Sequence, residues 1–194
     1  MARQVASRRP TQDELRRAAG RTVPDLLAPG LDVLFCGINP GLYSAATGHH
    51  FARPGNRFWP ALHLGGFTPR QLAPHEAGEL LPCGLGMTVM VRRGTATAAE
   101  LSPDEYVAGG RALVRKLRKY RPRILVVLGV GAYRAAFDRP AAQLGLQPNQ
   151  IADTPVWLLP NPSGLNANYQ LPDLTRLFRA LHEYVYEKLV RRDR

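Results

Sequence analysis

The chain has 194 residues, 45% hydrophobic and 21% charged, which suits one globular domain with one substantial core and excludes a fibrous or wholly disordered chain. Its 26 basic side chains against 15 acidic ones give a net charge of +11, and 23 of the 26 are arginine, so the composition fits a polyanionic partner as well as a plain coding bias. The longest apolar stretch, 124–133, is well short of the roughly 20 residues that span a bilayer, and Cys36 and Cys83 stand alone, which excludes a disulfide framework, a four-cysteine zinc site and an iron–sulfur cluster.

Residues 1–22 carry six arginines against Asp13 and Glu14 and read as a largely mobile basic arm whose second half forms a short helix. No apolar segment of the kind a secretory signal needs follows the basic N-terminus, so a cytoplasmic protein with no membrane association is expected. From residue 23 to 194 the text reads as a single domain. The apolar run 31–36 ends at Gly37 and predicts a buried strand, as do 124–128, ending at Gly129, and 156–159, ending at Pro160; 87–91 is a weaker candidate. Thr68-Pro69-Arg70-Gln71 and Ser102-Pro103-Asp104-Glu105 each combine a capping residue, proline at the first helical position and Gln or Glu at the third, so each predicts a helix start. The segment from Pro172 places Leu174, Leu177, Phe178, Leu181, Val185 and Leu189 on one helical face. Apolar strands alternating with helices predict an α/β fold, a three-layer α/β/α domain with a short, mostly parallel central sheet.

Ligands of such sheets bind outside the carboxyl ends of the strands, so the segments after them hold the candidate chemistry. After the first strand comes Gly37-Ile38-Asn39-Pro40-Gly41-Leu42, then Phe51-Ala52-Arg53-Pro54-Gly55-Asn56-Arg57-Phe58-Trp59, and no Asp or Glu occurs from Val33 through His75. A stretch without carboxylates that keeps His49, His50, Arg53 and Arg57 suits approach to phosphate, and chance also leaves such gaps. After the last strand comes Asn161-Pro162-Ser163-Gly164-Leu165-Asn166, uncharged, with one isolated leucine that fits either surface noise or a wedge for a base stack. Asn39 also fits a turn cap before Pro40, Asn56 a helix cap, and Trp59 the core. Arg111, Arg115, Arg118 and Lys119 read as a solvated helix face.

Together these two motifs resemble the mismatch-specific uracil/thymine-DNA glycosylases of the uracil-DNA glycosylase superfamily, over residues 27–190. The resemblance implies an enzyme that flips uracil out of duplex DNA containing uracil or mismatched bases and hydrolyses its bond to the sugar, leaving an abasic site. It implies that Asn39 holds the attacking water and that Asn161 donates to the uracil or to the charge developing on it. Phe51 would stack on the flipped base, with main-chain groups of Ile38 and Phe51 reading the uracil edge and Ser44 beside the ring carbon that bears a methyl group in thymine, where a small side chain bears on thymine tolerance. Gly164, Leu165 and Asn166 would fill the vacated stack, with Leu165 as the wedge and its neighbours on the widowed guanine; Arg53 and Arg57, from the stretch without carboxylates, are the candidates for the DNA backbone. The Arg92-Arg93-Gly94-Thr95 loop departs from the family pattern; two arginines there suit phosphate.

The resemblance carries no cofactor or metal and a monomer. Strand cleavage by a glycosylase needs an amine nucleophile, and Lys116, Lys119 and Lys188 lie near no motif, so a monofunctional enzyme is expected. Two rival readings remain. Gly129-Val130-Gly131 after a strand suggests a nucleotide site, but Arg134 stands where a dinucleotide fingerprint has its third glycine. A non-catalytic, mismatch-sensing DNA-binding protein of the same fold fits the absence of a carboxylate at Asn39.

Overall fold

A computed structural model describes residues 8–190. Four short apolar strands, β1 (Val33–Gly37), β2 (Leu85–Val89), β3 (Ile124–Leu128) and β5 (Val156–Leu159), run parallel, and the two-residue β4 (Gly145–Leu146) lies antiparallel at one edge. The order across the sheet is β2-β1-β3-β5-β4. Strand side chains alternate between faces, so each strand feeds two cores. Val33 and Phe35 of β1 join Met87, Val126 and Leu159 under α3 (Phe58–Leu64) and α6 (Leu171–Glu183), whose Phe58 and Phe178 rings meet Phe35 at 5.5 and 6.1 Å. Leu34 and Cys36 point the other way, into a second cluster with Leu125, Val127 and Leu158 under α4 (Pro103–Tyr120) and α5 (Val130–Phe137). The expected three-layer α/β/α domain with its short, mostly parallel sheet is the observed one.

Local chemistry explains most boundaries. Ser102 caps α4, its hydroxyl accepting from Glu105 N while the Glu105 carboxylate accepts from Ser102 N at 3.0 Å. The face read from Pro172 is the buried face of α6, with Leu174, Phe178 and Leu181 fully buried and the helix running on through a wider-wound stretch, Tyr184–Val190. The expected helix start at Thr68 is not observed. Pro74 forces Ala73 into extended backbone (ψ 156°) only five residues after Pro69, so no helix fits between, and a tight helical stretch, Pro74–Cys83, begins instead. The weak fourth strand lies two residues earlier than its apolar text suggested, and β4 was too short to leave a pattern.

Of the 1–22 arm, 1–7 lie outside the described residues, as do 191–194 of the expected domain. Thr11 opens the short helix α1 (Gln12–Arg17) with a capping box to Glu14. Beyond it Ala18 is fully buried, and Gly20 and Arg21 exchange 2.9 Å main-chain bonds with Gly94. This half of the arm therefore lies against the domain.

Candidate active site

The exits of β1, β2 and β5 converge on one cavity of about 350 Å³. Asn39, Ile38, Ser44, Phe51, Arg53, Asn161, Leu165 and Asn166 all line it, and none of its lining residues is acidic. Gly164 and Arg57 do not line it. β3 lies between the strands that carry Asn39 and Asn161, which sets those strand ends roughly 10 Å apart at the usual sheet spacing.

Asn39 follows β1 with its amide nitrogen held by protein. Nδ2 donates to Arg93 O at 2.9 Å and to Thr95 Oγ1 at 2.7 Å, with Pro40 O at 3.3 Å. A carbonyl only accepts, so the amide orientation is fixed, and Oδ1 accepts from no described residue. Asn161 is set the opposite way. Its Oδ1 accepts from Ser163 N at 3.1 Å, which leaves Nδ2 without an acceptor among the described residues. Two residues that line the cavity thus keep unused amide groups, an oxygen on Asn39 and an N–H group on Asn161.

Phe51 lines the cavity in the left-handed backbone region, at φ 52°, a conformation costing a non-glycine residue about 1–2 kcal/mol. Its ring lies on Phe58 at 4.3 Å and 18°, and a Cβ on Gly37 would come within 3.1 Å of its tip, so glycine at the end of β1 makes room for it. Ser44, on α2 (Leu42–Thr47), ties the same turn down, its Oγ accepting from Ala52 N at 3.1 Å. His50 is buried in the turn with Nε2 2.9 Å from Pro24 O. That partner only accepts, so Nε2 carries the proton, and burial pushes the imidazole pKa below its ordinary value and keeps the ring neutral. Trp59 is core, donating Nε1 to His50 O, and Asn56 accepts from Phe58 N at the start of α3.

The 161–170 loop is built in advance. Arg57 Nη1 donates to the carbonyls of Ser163, Asn166 and Tyr169 at 3.0–3.1 Å, and Nη2 to Gly164 O and Gln170 Oε1. The Asn166 side chain is tied to Asn161 O and Asn168 N, and Ser163 Oγ accepts from Leu165 N. A Cβ on Gly164 would sit 2.5 Å from Gly55 O, so only glycine lets the two turns close up. The result is a stiff loop displaying Leu165, whose surface is 67% exposed.

The expectations for the arginines divide. Arg53 is exposed at the cavity with no charge partner among the described residues, whereas Arg57 spends its guanidinium on the loop. The suggestion that Arg93 meets phosphate is corrected: its guanidinium pairs with Glu105 at 2.8 and 3.0 Å and donates to Glu100 O, and Arg93 and Ser102 together hold the Glu105 carboxyl down to about 2. Sequence reasoning assigned nothing to Thr95 or Val23, both cavity-lining, and set His50 among the groups suited to phosphate, whereas its ring is buried against Pro24 O. No spacing pattern marks Thr95, which meets Asn39 from 56 residues away. Lys116 is engaged with Asp25 and Thr88, and no lysine lines the cavity. Among the described residues no cluster of His, Cys, Asp or Glu suits a metal ion, and no helix is long and apolar enough to cross a membrane. Compared with known proteins, residues 24–185 match the family model of the uracil DNA glycosylase superfamily.

Proposed function

The chain belongs to the uracil DNA glycosylase superfamily, whose members act on DNA as N-glycosyl hydrolases in base excision repair, and from that premise we propose a mismatch-directed, monofunctional enzyme that excises uracil from duplex DNA. The observation that carries this reading is the pairing of a free amide oxygen on Asn39 with a free amide donor on Asn161 in a cavity without carboxylates. An amide oxygen does not take a proton at neutral pH. Asn39 therefore accepts a hydrogen bond from water and aims its lone pair at the sugar C1′, positioning rather than deprotonating it. As the C1′–N1 bond breaks, its electron pair leaves with the uracil, and Asn161 Nδ2 donates to the oxygen on which charge develops. The water proton is lost to solvent once the C1′–O bond has formed.

Phe51, fixed by Phe58 and Gly37, supplies a ring on which an extruded base stacks, and the main chain of Ile38 and Phe51 borders the base edge. Ser44 is a small side chain on the cavity wall, and through it the substrates extend toward thymine. Leu165 enters the space the base vacates, Gly164 and Asn166 shape that loop, and Arg53 meets the backbone. Arg57 serves the DNA by holding the loop. Without a lysine at the cavity no Schiff base forms, so the product is an intact strand with an abasic site. The protein is taken to act as a cytoplasmic monomer without cofactor.

The test is single-turnover cleavage of an end-labelled duplex carrying uracil opposite guanine, developed with alkali, beside uracil opposite adenine and uracil in single strand. The native protein should give an alkali-dependent break, and Asn39→Ala and Asn161→Ala should each slow it about 100-fold. Mismatch binding by native protein without cleavage of any substrate establishes the sensing reading instead, and equal cleavage by native protein and Asn39→Ala removes Asn39 from the mechanism.

A further inference from the structure

We infer that Thr95 is the positioning residue for the Asn39 amide, and that the loop carrying it is a clamp which keeps the amide oxygen turned into the cavity. The inference rests on the reading of Asn39 as the group that orients water. An asparagine amide has a broad, roughly two-fold χ2 preference, so an unclamped Asn39 presents its NH2 group to the cavity as readily as its oxygen. The two orientations are not chemically equivalent. An amide oxygen accepts from water and leaves a water lone pair free for attack, whereas an NH2 group donates to that lone pair and occupies it.

Two partners settle the choice. Arg93 O only accepts, and the Thr95 hydroxyl gives its own proton to Thr97 O at 2.8 Å, so its oxygen is left to accept from Asn39 Nδ2 at 2.7 Å. Thr95 is 2% exposed, and its main-chain N–H donates to Pro40 O at 3.0 Å, which ties the clamp to the turn it controls. The loop is held from both sides. Arg93 is pinned by Glu105, which also caps α4, and Gly94 is gripped by the main-chain bonds to Gly20 and Arg21. A Cβ on Gly94 would come within 2.8 Å of Arg21 O and 2.9 Å of Ala45 Cβ, so the fit requires glycine. The bracing residues Gly20 and Arg21 precede residue 24, where the family match begins.

A buried threonine that merely satisfies its own hydrogen bonds predicts lost stability and nothing specific to Asn39. The two roles are separated by a double-mutant cycle with Thr95→Val, Thr95→Ser and Asn39→Ala. The readouts are the single-turnover rate at saturating enzyme on the uracil–guanine duplex and the Kd for a duplex carrying a tetrahydrofuran abasic analogue. Thr95→Val should lower the rate about tenfold or more with Kd changed less than twofold, Thr95→Ser should restore it to within about threefold, and in the Asn39→Ala background Thr95→Val should cost less than twofold. Thr95→Ala replaces Thr95→Val if the latter does not fold. An equal cost in both backgrounds, or a loss that Thr95→Ser does not rescue, overturns the role of Thr95 while leaving the glycosylase reading intact. Native protein that cleaves nothing overturns both.

Discussion

Phe51, Leu165 and Arg57 show how single residues are spent at this site. Phe51 holds a positive φ, and Leu165 exposes 67% of its surface on a loop that does not need it for packing. Arg57 saturates carbonyls instead of facing solvent. Strain and exposure of this kind persist where the surroundings over-determine them. Leu165→Ala should therefore change the unfolding free energy by less than about 0.5 kcal/mol, measured by urea titration, yet slow excision about tenfold because the vacated stack is no longer filled. Arg57→Ala should act on both, destabilising by about 2 kcal/mol and weakening duplex binding, since the loop carbonyls lose their common donor. If Leu165→Ala cleaves at the native rate, the wedge role is wrong.

At the scale of elements, helix caps and ion pairs fasten the segments around the cavity. The tight stretch from Pro74 is held by Arg70, which pairs with Glu76 at 2.9 Å and Glu79 at 2.8 Å, so the residues expected to start a helix at Thr68 instead anchor the next one. Lys116 of α4 reaches under the sheet edge to Asp25 at 2.7 Å and to Thr88 of β2, whose hydroxyl donates to Asp25. This largely buried network ties the segment that precedes β1, and Val23 with it, to the strand next to the cavity. Removing one partner strands a buried charge, so Asp25→Ala should cost about 3 kcal/mol, read as a lowered urea midpoint. An unchanged midpoint would place the pair among the ion pairs that contribute nothing.

At the scale of the whole molecule, charge and architecture act on different quantities. The +11 net charge does not shape the sheet; it sets how a polyanion is attracted. Log Kd for undamaged duplex should rise linearly with log salt, with a slope near 0.9 per phosphate neutralised, and Arg53→Gln should lower that slope by about 0.9. Binding that is insensitive to salt would exclude backbone contact as the source of affinity. The sheet, meanwhile, delivers the ends of β1, β2 and β5 to one place, which no local feature of the chain achieves.

The sequence by itself determined the layered fold, because short apolar runs stopped by glycine or proline and capped helical patterns are local signals that burial rewards directly. It also marked Asn39, Phe51, Asn161 and Leu165, which sit where strands end, and the family match covers those positions. Only the tertiary structure decided what these groups can do. Whether the Asn39 amide shows oxygen or nitrogen to the cavity depends on Arg93 and Thr95, more than fifty residues away. Whether Arg57 faces solvent or the 161–170 loop depends on contacts more than a hundred residues distant. Hydrogen-bond direction is a property of the partner as much as of the residue, and partners that far apart in the chain are chosen by the fold.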